Sequence, residues 1–184
     1  MNQDALFDAI DTPESALPPV MFEAPIAETL RFATLESPVG ELMLVGHGQT
    51  LAALYMAATP DPSWTHDPGA FTSAKTQLRA YFGGELRHFE IALAPSGTAF
   101  QLKVWSALTT IPYGRTMSYG GLATRFLGRP SASRAVGLAN GRNPISIVIP
   151  CHRVIGADGS LTGYAGGLPR KQKLLALENI RVTG

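Results

Sequence analysis

A single cysteine, Cys151, stands in the 184 residues, which excludes an intrachain disulfide and a cysteine-rich zinc site. A single free thiol suits a reducing compartment, so the cytoplasm is the expected location. No apolar run approaches the roughly 20 residues of a membrane helix, so no membrane partner is expected. Met1-Asn2-Gln3-Asp4 lacks the basic start and apolar core of a secretory leader. Histidines and acids are scattered without ligand spacing, so neither a metal nor a cofactor is expected.

Basic residues are scarce in the first 90 positions, four against twelve acids, and acids are scarce afterwards, two against eleven bases. The overall charge of +1 therefore hides an acidic half and a basic half. A basic half points to a polyanion, with nucleic acid the natural candidate. A merely solvated basic face has the same composition, so charge alone does not decide. One of the two acids in the basic half, Glu178, closes the apolar run Leu174-Leu175-Ala176-Leu177, where a carboxylate needs a partner.

Residues 1–29 carry six acids, no base and four prolines, the composition of a disordered or loosely ordered tail, with at most a transient helix over Asp4 to Ile10. Residues 30–95 form a first domain. Leu30 to Leu35, Glu41 to Gly46 and Leu51 to Met56 are short apolar runs separated by turn residues, which predicts an antiparallel meander. Thr59 to Gly69 reads as a surface loop with a solvated His66. Phe71, Ala74, Leu78 and Tyr81-Phe82 recur at helical spacing before Gly83-Gly84.

Residues 96–184 form a second, mostly helical domain, so the expected class is α+β. Thr98 can cap a helix with Phe100, Val104, Ala107, Leu108 and Ile111 on its apolar face. A helix over Ser118 to Leu127 and another over Ala132 to Asn140, capped by Ser131, flank a Gly/Pro turn and predict a helix-turn-helix. The second helix is built from small residues around Arg134. Ala132, Ser133, Ala135 and Gly137 permit close backbone approach to a narrow minor groove. In the last helix, which starts at Pro169, the pattern puts Arg170, Lys171 and Lys173 outside and Leu174, Leu175 and Leu177 inside.

Between these helices lies Ile147-Val148-Ile149-Pro150-Cys151-His152-Arg153-Val154-Ile155. The apolar run reads as a buried strand that Pro150 ends, which places Cys151 at a strand terminus. A lone cysteine is commonly just a small core residue. The thiol reacts only as thiolate, however, and His152 and Arg153 supply a proton acceptor and a cation beside it, although adjacent residues need not point the same way and Arg153 serves equally as a brace for the fold or the active-site turn.

Taken in order, Ser133 to Asn140, Asn143-Pro144, Ile149 to Ile155, Gly163-Tyr164-Ala165-Gly166-Gly167-Leu168 and Leu174 to Glu178 resemble the O6-alkylguanine-DNA alkyltransferases, also called methylated-DNA–protein-cysteine methyltransferases. The resemblance covers about residues 98 to 180. It implies direct-reversal DNA repair: an O6-alkylguanine is flipped out of double-stranded DNA and its alkyl group passes irreversibly to Cys151. Each molecule would act once, without a cofactor, as a monomer for which clustering on DNA is left open.

The resemblance also implies roles. His152 takes the thiol proton through a water, Glu178 orients His152, and Asn143 ties the second helix to the active-site turn. Arg134 fills the vacated stack and Tyr119 crowds the adjoining phosphate. Tyr164 and the Ala165 N–H meet the guanine ring nitrogen and O6, and the Val154 and Cys151 carbonyls meet its exocyclic amine. Ala165 stands where some relatives have serine, so only a backbone donor is expected there. Ser146 replaces a second proline of some relatives, which leaves tolerance of bulky alkyl groups open.

Two other classes compete with this reading. A non-catalytic helix-turn-helix protein would bind lesions or promoters without chemistry, although the family's non-reactive relatives lack the cysteine that is present here. A cysteine hydrolase would turn over repeatedly through an acyl intermediate.

Overall fold

The computed structural model describes residues 17–181, which divide into two compact units: residues 17–20, 99–143 and 149–181 in one, residues 21–98 and 144–148 in the other. The boundary at 95/96 does not anticipate that residues 144–148 pack with the earlier unit.

That earlier unit is built on the meander. Strands β1 (Arg31–Leu35), β2 (Leu42–His47) and β3 (Thr50–Met56) pair antiparallel, and β4 (Thr65–His66) adds a short parallel edge, giving the order β3-β2-β1-β4. Strand β2 is buried from Leu42 through Gly46, the near-continuous apolar pattern of a central strand. Met43, Val45 and Ala53 form a core on which Leu30, Phe32 and Trp64 pack. The register shifts between Val45 and Gly46; a Cβ at Gly46 would run into the Thr50 carbonyl, so only glycine fits that bulge. The loop expected over Thr59 to Gly69 contains β4, and His66 stacks on Phe32 with ring centroids 4.8 Å apart. Helix α1 (Thr72–Phe82) buries Ala74, Leu78 and Tyr81 and stops at Gly83-Gly84, as its spacing predicts.

The outer edge of β3 is covered by distant chain. Leu51 bridges Leu93 and Leu54 bridges Ile145, with Leu54 N donating to Pro144 O at 2.8 Å and Ser146 N donating to Leu54 O at 3.2 Å.

The other unit carries α2 (Ala99–Leu108), β5 (Met117–Ser118), α3 (Tyr119–Leu127), α4 (Ser133–Gly141), β6 (Val154–Ile155) and α5 (Leu168–Leu177), and β5 pairs parallel with β6. Helix α2 buries Val104, Ala107 and Leu108, while Phe100 is 38% exposed and lies off the expected apolar face. The Trp105 indole N–H donates to Ala139 O at 2.8 Å, which locks α2 to α4. The Ser118 hydroxyl caps α3 by accepting from Gly121 N, and Gly128 ends it in the left-handed conformation at φ 69°. Ser131 does not cap α4: it lies in a 3₁₀ turn, Pro130–Ala132, that leads into the helix without a side-chain cap bond. The α+β class and the helix-turn-helix pair are both present.

Of the expected tail, residues 1–16, with the helix expected over Asp4 to Ile10, lie outside the described residues. The next residues are held rather than loose. Leu17 N donates to Thr110 O, Val20 N donates to Thr109 Oγ1 at 2.9 Å, and Ser106 Oγ donates to Val20 O. No helix among the described residues is long and apolar enough to cross a membrane.

The strand expected over Ile147 to Ile149 is absent. Val148 N donates to Ser146 O across Ile147 at φ 73°, and Cys151 N donates to Ile149 O across Pro150 at φ −81° and ψ 61°. The second is an inverse γ-turn; the first has the rarer, strained sense, in a β-branched residue. Burial explains why the run looked like a strand, since Ile147 and Ile149 are fully buried with no ladder partner of their own. Cys151 therefore opens a 3₁₀ turn, Cys151–Arg153, and β6 follows it.

Candidate active site

The 3₁₀ turn puts three consecutive side chains into the interior: Cys151, His152 and Arg153 are all buried. Glu178, at the C-terminal end of α5, is 1% exposed and receives the last two of them. His152 Nε2 lies 2.9 Å from Glu178 Oε1; Arg153 Nε donates to Oε2 and Nη2 to Oε1, each at 2.9 Å. Gly114 N adds a fourth donor to Oε2 at 3.2 Å. A carboxylate at a helix C-terminus meets the negative end of the dipole, so these donors are what make the position tenable.

Burial alone would raise the Glu178 carboxyl, but His152 and Arg153 outweigh it and hold the group well below the usual carboxylate range. Burial pushes His152 down, against the pull of Glu178. With Arg153 already matching the carboxylate charge, the histidine is neutral, and Nε2–H is the donor to Glu178. Nδ1 is then the acceptor, and it is buried without a hydrogen-bond partner among the described residues.

Of the two roles open to Arg153, its bonds are those of the brace rather than of a cation beside the thiol: besides Glu178 it donates to Ile111 O at 2.6 Å, and its guanidinium lies 6.0 Å from the Tyr113 ring centre. The cation that acts on Cys151 is Lys171. Far from facing outward as the helical pattern suggested, Lys171 is fully buried, and its ammonium donates to Val154 O at 2.6 Å and Thr162 O at 3.0 Å. Burial lowers it to about 8, and its charge opposes the rise that burial imposes on the Cys151 thiol. Asn143 works in the same direction on the thiol and donates from Nδ2 to Ile149 O at 2.8 Å, bracing the turn before Cys151.

A cavity of about 600 Å³ is lined by Tyr119 from α3, Ser133, Arg134, Gly137 and Leu138 from α4, and Thr162, Tyr164 and Ala165 from the loop before α5. The Tyr119 hydroxyl donates to Thr162 O at 3.4 Å, so one carbonyl receives both Tyr119 and Lys171. A Cβ on Gly137 would sit 3.6 Å from the Tyr119 ring, an ordinary contact, so packing on that ring does not itself demand glycine. Arg134 and Ala135 are exposed on α4; Ala132 and Ala135 do not line the cavity. Val154 is buried in β6.

The sequence reading missed Lys171 and Asn140. Lys171, Leu174, Leu175 and Glu178 are spaced three, four and seven apart, one helix face, and that period carried the signal. Asn140 lies four residues after buried Val136 and three before Asn143, and it donates from Nδ2 to Cys151 O at 3.4 Å.

The chain matches the family models described as the 6-O-methylguanine DNA methyltransferase ribonuclease-like domain over residues 30–95 and its DNA binding domain over residues 99–180. It is 56% identical over 156 residues to a methylated-DNA–protein-cysteine methyltransferase of Mycobacterium bovis, covering 83% of this chain and 94% of the relative. A methylated-DNA–protein-cysteine methyltransferase of Methanosarcina acetivorans is 52% identical over 153 residues, covering 80% and 97%. Among solved structures, Mycobacterium tuberculosis OGT in complex with DNA superimposes with a TM-score of 0.77 at 56% identity, covering 81% of this chain and 93% of the other. Matches of this identity over most of both lengths place the chain in the 6-O-methylguanine DNA methyltransferase family.

Proposed function

We infer that this chain repairs DNA by direct reversal, transferring the alkyl group of an O6-alkylguanine in double-stranded DNA to Cys151. The observation that carries the reading is the buried His152–Glu178 pair beside the only cysteine, with Arg153 matching the carboxylate charge. Arg153 leaves His152 neutral, and Glu178 fixes which ring nitrogen keeps the proton. Nδ1 takes the thiol proton through a water. The sulfur then attacks the alkyl carbon, an S–C bond forms, and the C–O6 bond breaks with its electron pair passing to the guanine. That charge is relieved by a proton and by the donors Tyr164 and Ala165 N–H at the ring nitrogen and O6. Water does not expel the Cys151 thiolate from an unactivated alkyl carbon as it would from an acyl carbon, so the thioether persists and each molecule reacts once.

Base extrusion costs a few kcal/mol, less for a poorly paired alkylated guanine. Arg134 enters the vacated stack, Tyr119 crowds the adjoining phosphate, and Ala132, Ser133, Ala135 and Gly137 let α4 approach the minor groove. The Cys151 and Val154 carbonyls face the guanine amine. The protein works as a monomer in the cytoplasm, where the thiol stays reduced.

Intact-mass measurement after incubation with duplex O6-methylguanine DNA tests this reading. One methyl per molecule is expected, mapped to Cys151, with a plateau at one equivalent. Folded protein that gains no mass rejects the reading, and product accumulating well beyond one equivalent favours a hydrolase. Arg134→Ala is expected to slow repair of duplex by about tenfold, roughly 1.4 kcal/mol of lost extrusion energy, and to leave attack on free O6-benzylguanine unchanged. Equal losses on the two substrates would reject the role of Arg134 in extrusion.

A further inference from the structure

Leu17 to Val20, the first described residues, lie ahead of the family match, which begins at residue 30. They are nonetheless fixed to the unit that carries Cys151. Leu17 N donates to Thr110 O at 3.2 Å. Val20 is held at both of its backbone groups: its N–H donates to Thr109 Oγ1 and its carbonyl accepts from Ser106 Oγ, each at 2.9 Å. Pro18 and Pro19 stiffen the link between the two bonded residues. The chain that precedes Leu17 is thereby tethered to this unit.

What the tether delivers is negative. Residues 1–16 contain Asp4, Asp8, Asp11 and Glu14 and no basic side chain. The unit that receives them is the reverse. Glu178 is buried against Arg153, so Asp158 is the one exposed acid among its described residues, against many exposed cations. Arg125, Arg129, Arg134 and Arg142 stand exposed along the helix-turn-helix, and none of them forms an ion pair with a described residue. Sixteen residues can span up to about 50 Å, at roughly 3.3 Å each. A folded unit of about 80 residues has a radius of gyration of about 12 Å, so the arginine face is within reach of the tether.

We propose that the acidic segment of residues 1–16 occupies the arginine face of the helix-turn-helix when DNA is absent and competes with the duplex for it, an autoinhibitory contact carried by the chain itself. Guanidinium forks take carboxylate and phosphate oxygens in the same bidentate geometry, so each carboxylate stands in for a phosphate. Tethering holds the segment near millimolar effective concentration, so individually weak contacts suffice to compete. Affinity for duplex then falls in proportion to the fraction of molecules whose face is free. The proposal rests on the reading that puts duplex DNA on this face.

The test uses the full chain and follows binding of an undamaged duplex by fluorescence anisotropy. Asp4→Asn, Asp8→Asn, Asp11→Asn and Glu14→Gln, made together, remove the charge of the segment and leave every described residue as it is. This variant is expected to bind about tenfold tighter than wild type at about 50 mM salt, the ratio shrinking below about twofold at about 300 mM, where counterions screen both contacts. A second variant, Glu36→Gln, Glu41→Gln, Glu85→Gln and Glu90→Gln together, removes as many exposed acids from the other unit and is expected to bind within about twofold of wild type. Both variants are expected to react with free O6-benzylguanine at the wild-type rate, which shows that fold and chemistry are intact. Equal affinity of wild type and the first variant at the lower salt overturns the proposal. Equal tightening in the two variants overturns it as well, because net charge then accounts for the effect. Failure of the underlying reading looks different: protein that still reacts with the free base then binds duplex in none of its forms, and the proposal falls with that reading.

Discussion

Glu178→Leu is expected to lower the melting midpoint by roughly 10 °C and to abolish alkyl transfer. The substitution puts an apolar side chain of similar size at a buried position but strands Arg153, which loses both of its bonds to the carboxylate. Breaking a buried pair by removing one partner costs about 3–5 kcal/mol, because the remaining charge is left without compensation. In a chain of this size each kcal/mol is worth about 2–4 °C. Glu178→Gln retains the volume and one acceptor, so its loss should be smaller, while activity still falls because the amide no longer anchors His152 as an anion does. Thermal unfolding followed by circular dichroism decides the matter. A Glu178→Leu midpoint within 2 °C of wild type would show that the three-residue cluster contributes no net stability.

The sign of the pH dependence follows from the same cluster. The folded Glu178 pKa lies below its unfolded value, so its stabilisation is present above about 4.5 and is lost as pH falls through the depressed folded value. His152 is also depressed, from 6.5, so stability begins to fall earlier, as the unfolded imidazole takes up its proton.

Lys171→Met is expected to slow alkylation of Cys151 at neutral pH by about tenfold for each unit by which the thiol pKa rises, a unit being 1.36 kcal/mol. The lysine supplies positive charge toward the cysteine and ties the carbonyl of Val154 to that of Thr162, just ahead of Tyr164 and Ala165. Methionine fills the space without the charge. The ratio of wild-type to variant rate should be largest below about pH 8, where the buried ammonium still holds its proton, and should shrink at higher pH. Two changes act together there: the wild type loses its cation, and the variant's thiol ionises without help. Lys171→Arg keeps a charge and should recover part of the neutral-pH rate. The check is the pH profile of single-turnover reaction with free O6-benzylguanine, and a ratio constant from pH 6 to 10 would assign Lys171 a purely structural role.

The meander, α1 and the helix pair were legible because their signals are local: apolar runs interrupted by turn residues, and recurrences at helical spacing. Cys151, His152 and Glu178 could be named because the cysteine is unique and the glutamate is anomalous in an acid-poor half. Legibility failed where burial imitates another pattern. Ile147 to Ile149 has the composition of a strand, but two successive γ-turns bury the same side chains without a ladder, and composition does not distinguish these outcomes. Lys171 was misplaced because lysine on a helix is usually solvated. Only the contact with two backbone carbonyls, one of them 17 residues earlier in the chain, explains its burial. Arg153 adjoins the cysteine in sequence, yet its bonds run to residues 25 and 42 positions away.

The cover over the β3 edge has a consequence for synthesis. Leu54 receives its outer partners from Pro144, Ile145 and Ser146, which leave the ribosome about fifty residues after the rest of that unit. At about 5–20 residues per second the nascent sheet waits several seconds with part of its flank unpaired. A truncated chain ending at Thr98 waits indefinitely. Such a fragment carries an open β-edge at Leu54 that can recruit another chain, so premature termination yields a template for aggregation rather than a small folded domain.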